Sequence, residues 1–217
     1  MDLAKPGGID AVITHTPTLE ERFVADGWGL GRYPFAAIEF LIVGPADDPA
    51  QARDSTDSVT ALRCIANGGA LFLSRDDRPS AKRMEQELWT AAGIEPDGTP
   101  WHRTTDTANS VSTAVARQAA RLDAYTLLES ATHLTARPRL TSITENDPLL
   151  LSELSAATVN PPRAADVNEG VAEAFLNWLL GDEAQGPIGT FRLPEHRTTF
   201  FLRRDQIPPS SSADVHR

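Results

Sequence analysis

The amino-acid sequence predicts an α/β fold with mostly parallel sheets. Short apolar runs typical of strands alternate along the 217 residues with segments whose apolar positions recur at helical spacing. Clusters of glycine, proline and asparagine separate these segments, as turns do. Hydrophobic residues make up 41% and charged residues 23%, the composition of a folded globular chain. In such sheets, ligands bind at the carboxyl ends of the strands.

The first residues predict a strand, a helix and a second strand. Residues 9–15 (IDAVITH) form a short apolar run. A helix is expected from Pro17, with Thr16 as a candidate N-cap and two glutamates near the positive end of its dipole. Residues 35–43 (FAAIEFLIV) predict the strongest strand of the chain.

Alternating segments continue as far as residue 180. We predict helices over residues 57–66, 110–120 and 171–180, a helix that ends near residue 92, and strands over 70–73, 123–128, 140–143 and 153–159. The last helix carries one apolar stripe, which we expect to face the core: Val171, Ala174, Phe175, Trp178 and Leu179. The polar tail, residues 205–217, is predicted to be disordered.

Charge and composition exclude several classes of function. The formal net charge of -10 argues against binding to a nucleic-acid backbone and means that any anion site needs local donors. No apolar run approaches the length of a membrane span. The N-terminus lacks the pattern of a signal peptide, so we expect a cytoplasmic location for the chain as written, or an extracytoplasmic one if an export signal has been removed.

The sequence contains no recognisable catalytic or metal-binding motif. One cysteine, Cys64, excludes an internal disulfide and a cysteine-rich zinc site, and the five histidines lack metal-site spacing. The adjacent carboxylates at Asp47–Asp48 and Asp76–Asp77 are typical of solvated turns. We therefore predict that the protein is not an enzyme and has no cofactor.

Residues 71–83 contain the one candidate ligand site. A predicted strand leads into Ser74 and Arg75, and a helix begins a few residues later. A hydroxyl, backbone N–H groups and a guanidinium can together bind an oxyanion. The alternative is a solvated basic turn, in which the arginines pair with the neighbouring aspartates.

Several ordered stretches resemble the TupA-like tungstate-binding proteins of ABC transporters, a branch of the type II periplasmic binding proteins. They include VGPADDPA and FLSRDD and are distributed between about residues 8 and 204: 9–29, 40–50, 72–77, 87–96, 124–127, 147–151, 159–161 and 174–179. The resemblance implies two α/β lobes. It places residues 1–40 with 155–204 in the first lobe and residues 41–154 in the second.

The resemblance also implies departures from the family pattern. The family's N-terminal strand and its hydroxyl-rich loop would precede Met1, so the first lobe is expected to be incomplete, with an unpaired edge at residues 9–15. Hydroxyl residues of the family's motif are replaced by Pro79 and Ala81, and a family arginine corresponds to Ser130.

Two functions follow from this comparison of patterns. The first is a truncated or degenerate, non-catalytic solute-binding protein for tungstate or molybdate that serves an ABC transporter permease. Family members hold a tetrahedral oxyanion between their lobes, and here the expected donors are Ser74 and Arg75, with Lys82 as a replacement donor. The second is an interaction subunit that has lost the pocket and docks in a molybdenum- or tungsten-enzyme complex. A protein partner or a second copy would then cover the incomplete lobe.

Overall fold

The computed structural model describes residues 1–75, 79–105, 112–136, 139–192 and 199–208. The chain divides into two compact units, and we call Met1–Ile38 with Ser152–Arg217 unit 1 and Glu39–Leu151 unit 2. Strand β2 (Tyr33–Gly44) begins in unit 1 and continues into unit 2. Within the described ranges, no helix is long and apolar enough to cross a membrane.

The described residues of unit 1 form short strands and three α-helices. Its elements besides the first part of β2 are β1 (Ala11–Thr14), α1 (Pro17–Ala25), β7 (Leu151–Thr158), α6 (Glu169–Leu180), α7 (Asp182–Thr190) and β8 (Leu202–Arg203). Strand β1 pairs antiparallel with β7, and the first part of β2 pairs antiparallel with β8. The proline at the first position of α1 fixes a helical φ where no N–H partner is needed. Among the described strands, β7 alone pairs with β1, and Ile13 of β1 is half exposed.

The core of unit 1 determines which face of α6 is buried. Leu179 is buried against Phe35 of β2 and Ala156 of β7, whereas Val171 and Trp178 are 53% and 49% exposed. Ala174 is exposed as well, so the expectation that the whole predicted stripe faces the core is wrong at these three positions. Apolar residues occupy most sides of this helix, so their periodicity alone does not identify the side that packs.

Unit 2 contains the remaining elements. They are the second part of β2, α2 (Ser58–Asn67), β3 (Phe72–Ser74), α3 (Pro79–Ala92), β4 (His102–Thr104), α4 (Ser112–Arg121), β5 (Thr126–Glu129), α5 (Ser130–Ala136) and β6 (Thr141–Ser142). Asp57 caps α2, because its carboxylate accepts the backbone N–H of Thr60 at 2.7 Å. A buried cluster from β2, β3, α4 and β5 forms the core, with Val43, Leu73 and Leu128 among its members.

Strand pairing is less parallel than the sequence predicts. Strands β3 and β4 are parallel, and Phe72 forms a parallel bridge with Tyr125. However, β2 pairs antiparallel with β5 and β6, as β1 does with β7. Parallel neighbours need a crossover connection, which α3 supplies between β3 and β4. The alternation of strands and helices in a sequence does not show which strands become neighbours.

Several sequence predictions fall partly or wholly outside the described residues. Asp76 and Asp77 lie there, as do residues 209–217 of the predicted tail. Asp205 and Gln206, which also belong to that tail, form part of a 3₁₀ turn, Arg204–Gln206. The Asp47–Asp48 turn is described. There Asp48 accepts the hydroxyl of Tyr125 at 2.6 Å, which anchors the loop after β2.

Candidate functional site

Strand β3 carries Ser74 and Arg75 to the centre of unit 2. Ser74 is 6% exposed at the end of the strand, and its carbonyl accepts the backbone N–H of Thr105 at 3.0 Å. On the other side of β3, the N–H of Leu73 donates to the carbonyl of Tyr125 at 2.7 Å. Because neighbours lie on both sides, the carboxyl end of β3 holds Arg75 in a fixed place.

The Arg75 side chain is completely buried and carries its charge into the interior. Its Nη1 lies 2.8 Å from Oε2 of Glu129, and its Nη2 donates to the hydroxyl of Ser112 at 2.8 Å. Its backbone N–H donates to Oε2 of Glu85 at 3.2 Å. A buried guanidinium is stable only when an anion and hydrogen-bond acceptors compensate it. Glu129 is the compensating anion seen here.

The carboxylate of Glu129 is held by several donors besides Arg75. The hydroxyl of Ser112 lies 3.4 Å from Oε1, and the hydroxyl of Thr132 lies 3.3 Å from Oε2. Burial acts to raise the pKa of Glu129, but the charge of Arg75 and hydrogen bonds from Arg75 and Ser112 outweigh it and hold the pKa below its usual value. Glu129 is therefore ionised at neutral pH. A guanidinium and two hydroxyls thus surround one carboxylate.

Ser74 and Lys82 line a separate cavity of about 450 Å³, and Arg75 is not among its lining residues. Glu85, Glu95 and Asp97 contribute carboxylates to this cavity. The lining therefore carries more acidic than basic groups, which opposes an anion there.

Inside this cavity the carboxylates lie beside a histidine. Oε1 of Glu85 lies 3.1 Å from Nε2 of His102, and Oδ1 of Asp97 lies 3.7 Å from its Nδ1. Within the described residues, no group of three potential ligand side chains could hold a metal ion. The cavity is therefore a polar space next to the Arg75 cluster, and Glu85 contributes to both.

The structure brings together residues that the sequence analysis did not select. Ser112, Glu129 and Thr132 lie 37 or more residues from Arg75 along the chain, yet all belong to one hydrogen-bonded cluster. Glu129 and Thr132 lie within two residues of Ser130, the position that corresponds to a family arginine. This correspondence drew attention to Ser130, where the family has an arginine. It gave no indication that the adjacent Glu129 would pair with Arg75.

Comparison with known proteins identifies the family. A sequence profile described as the PBP superfamily domain matches residues 1–183. The chain belongs to the PBP superfamily. Within this superfamily it is TupA-like: the tungstate-binding protein TupA of Peptoclostridium acidaminophilum is 31% identical over 205 residues, which cover 93% of this chain and 70% of that protein. The resemblance predicted from the sequence is thus confirmed.

Solved structures of the PBP superfamily agree with this assignment. The tungstate-binding protein TupA from Desulfovibrio alaskensis G20 is 30% identical, with a TM-score of 0.81 over 90% of this chain and 78% of that one. The tungstate ABC transporter structure from Geobacter sulfurreducens is 30% identical, with a TM-score of 0.73 over 88% of this chain and 80% of that one. The periplasmic molybdate-binding protein of Azotobacter vinelandii, 14% identical, shares the fold with a TM-score of 0.54, covering 89% of this chain and 81% of that one. The predicted fold class, an α/β fold like that of the type II periplasmic binding proteins, is therefore confirmed.

Proposed function

We propose that this protein is a non-catalytic solute-binding protein for a tetrahedral oxyanion of the tungstate or molybdate class. The observation that carries the proposal is a buried cluster in which Arg75 and the hydroxyls of Ser112 and Thr132 surround the carboxylate of Glu129. Guanidinium and hydroxyl donors bind tetrahedral oxyanions by charge-assisted hydrogen bonds. The TupA relatives, whose names state tungstate binding, favour the same ligand class.

The three residues selected from the sequence have unequal roles in this proposal. Arg75 is the main charged donor. Ser74, the last residue of β3, precedes it but lines the separate cavity with Lys82, so it is a secondary donor. Lys82 is the weakest of the three, because the carboxylates of its cavity already attract its ammonium group. We propose that the ligand-holding lobes are residues 1–40 with 155–204 and residues 41–154, and that 205–217 is a tail outside both.

Calorimetric titration with tungstate, molybdate and sulfate tests the function. Loss of a charged donor costs about 1.5–3 kcal/mol, so Arg75→Ala is expected to weaken oxyanion binding by at least about tenfold. Lys82→Ala should weaken it less. Arg121→Ala is the matched control, because it removes the same charge from an exposed position of unit 2. Unchanged affinity in a folded Arg75→Ala protein contradicts the proposal.

The transport role is the next step of the same proposal. A solute-binding protein of an ABC transporter delivers its ligand to a permease, so the partner would be a permease and the site of action extracytoplasmic. Co-purification of the ligand-loaded protein with an ABC transporter permease from the same organism would support this role. Equal capture of loaded and unloaded protein would contradict a role in delivery.

The second candidate is the interaction subunit, in which the fold serves to dock on another protein. It is favoured by the exposed edge of β1, where Ile13 is 50% exposed and Leu19 of α1 is 51% exposed. Unpaired strand edges recruit other strands, from a second copy or from a different protein. Light scattering gives the native mass. An association that Ile13→Lys abolishes supports this role, and a monomer whose β1 amides exchange slowly contradicts it.

A further inference from the structure

We infer that Glu129 is an intramolecular competitor of the oxyanion and that Ser112 and Thr132 are ligand donors beside Arg75. The inference rests on the proposed function of this site and deepens it. It assigns the donors that the ligand would contact and the protein group that the ligand must first displace.

The donors are already arranged around an anion. Arg75 contributes Nη1 at 2.8 Å from the Glu129 carboxylate, and the hydroxyls of Ser112 and Thr132 lie 3.4 and 3.3 Å from it. A carboxylate and a tetrahedral oxyanion accept hydrogen bonds from the same groups. The donor set is thus that of an oxyanion site, and the chain's own Glu129 occupies it.

The two partners of this ion pair differ in burial. The Arg75 side chain is 0% exposed and the Glu129 side chain is 14% exposed, so Glu129 is the more accessible partner. A buried guanidinium must keep an anionic partner, whichever anion that is. Exchange of Glu129 for an oxyanion preserves this compensation, whereas simple loss of Glu129 from the site does not.

Competition from Glu129 lowers the apparent affinity for the oxyanion. When a competing group occupies the site, the apparent affinity for the ligand equals the intrinsic affinity multiplied by the fraction of molecules in which the site is open. Hydrogen bonds between charged groups are stronger than those between neutral groups, so the open fraction is small in the wild-type protein. Neutralising Glu129 while keeping its shape therefore raises the apparent affinity.

The test is calorimetric titration of the full chain with tungstate, and with sulfate as a second tetrahedral dianion. Glu129→Gln should bind tungstate at least about tenfold more tightly than wild type, because the amide cannot pair with Arg75 as an anion. Glu87→Gln is the matched control, since it removes one carboxylate from an exposed ion pair with Arg83 in the same unit. It should leave the affinity within about twofold of wild type, as expected for a surface site.

The role of the hydroxyls is tested in the neutralised protein, where the competitor no longer complicates the result. Adding Ser112→Ala or Thr132→Val to Glu129→Gln should weaken tungstate binding several-fold relative to Glu129→Gln alone. Glu129→Asp serves if Glu129→Gln does not fold: its shorter side chain withdraws the carboxylate from Arg75, and an intermediate gain in affinity is expected. Thermal unfolding of each variant verifies that it is folded.

The outcomes separate this inference from the proposed function. One outcome would contradict the competitor role and leave the proposed function standing. In it, wild type binds tungstate, Arg75→Ala does not, and Glu129→Gln binds with the same affinity as Glu87→Gln. If the hydroxyl variants leave the Glu129→Gln affinity unchanged, Ser112 and Thr132 are not ligand donors. If wild type and Glu129→Gln both fail to bind any oxyanion, the inference and the proposed function are both wrong.

Discussion

Removal of the Glu20 carboxylate should destabilise unit 1 strongly. Glu20 lies in the first turn of α1 and is 0% exposed. Its Oε2 accepts Nε of Arg32 at 2.7 Å, and its Oε1 accepts the backbone N–H of Thr16 at 2.8 Å together with the hydroxyl of Thr14. One buried side chain therefore joins the end of β1, the start of α1 and the segment before β2.

The magnitude follows from what Glu20→Ala leaves behind. Breaking a buried ion pair by removing one partner costs about 3–5 kcal/mol. Here Arg32 keeps its second partner, because its Nη2 lies 2.6 Å from Oε2 of Glu153, so the lower end of this range applies. We expect a loss of about 3 kcal/mol, a large part of the ~5–15 kcal/mol that stabilises a typical domain.

Urea unfolding followed by circular dichroism measures this loss. The matched control is Glu21→Ala, because Glu21 is the next residue of the same helix and is exposed. It removes the same group and should change the free energy of unfolding by less than about 0.5 kcal/mol. Equal midpoints for Glu20→Ala and Glu21→Ala would refute the assignment of Glu20 as a buried structural anion.

Two further predictions concern pH and α6. The pKa values of Glu129 and Asp48 lie below their ordinary values of 4.5 and 3.8. The stability that each ionised carboxylate contributes to the folded protein is therefore complete above its ordinary pKa and is lost as the pH falls through its lowered pKa. Urea midpoints between pH 7 and pH 3 should show this loss, reduced in Glu129→Gln. In α6, Leu179→Ala should lower the free energy of unfolding by about 2–5 kcal/mol and Trp178→Ala by much less, because only Leu179 of the two is buried. Thermal unfolding measures both losses, and equal losses would contradict the packing of this helix.

Local patterns in the sequence predicted the strongest elements well. The apolar run at residues 35–43 corresponds to β2, Tyr33–Gly44, and the helix expected over residues 57–66 corresponds to α2, Ser58–Asn67. Both depend on information within a few residues: continuous apolar character in the first, and a capping aspartate with helical spacing in the second.

Local sequence patterns did not predict contacts between residues that are distant along the chain. The partners of Arg75 depend on which strands and helices become neighbours, and Glu129 is 54 residues away along the chain. Likewise, the buried side of α6 depends on the position of Phe35 and Ala156 and not on the helix's own periodicity. Ser74, Arg75 and Lys82 could be selected as candidates, but the charges around them could not be predicted.

The continuity of β2 couples two pairing registers that would otherwise be independent. Ala36 faces Arg203 in unit 1, while Phe40 faces Glu129 in unit 2, and a single unbroken strand separates these positions. Insertion or deletion of one residue at the less buried Ile38–Glu39 would reverse the facing of every side chain in one half of the strand relative to the other. The residue count between Ala36 and Phe40 is therefore fixed by both registers at once.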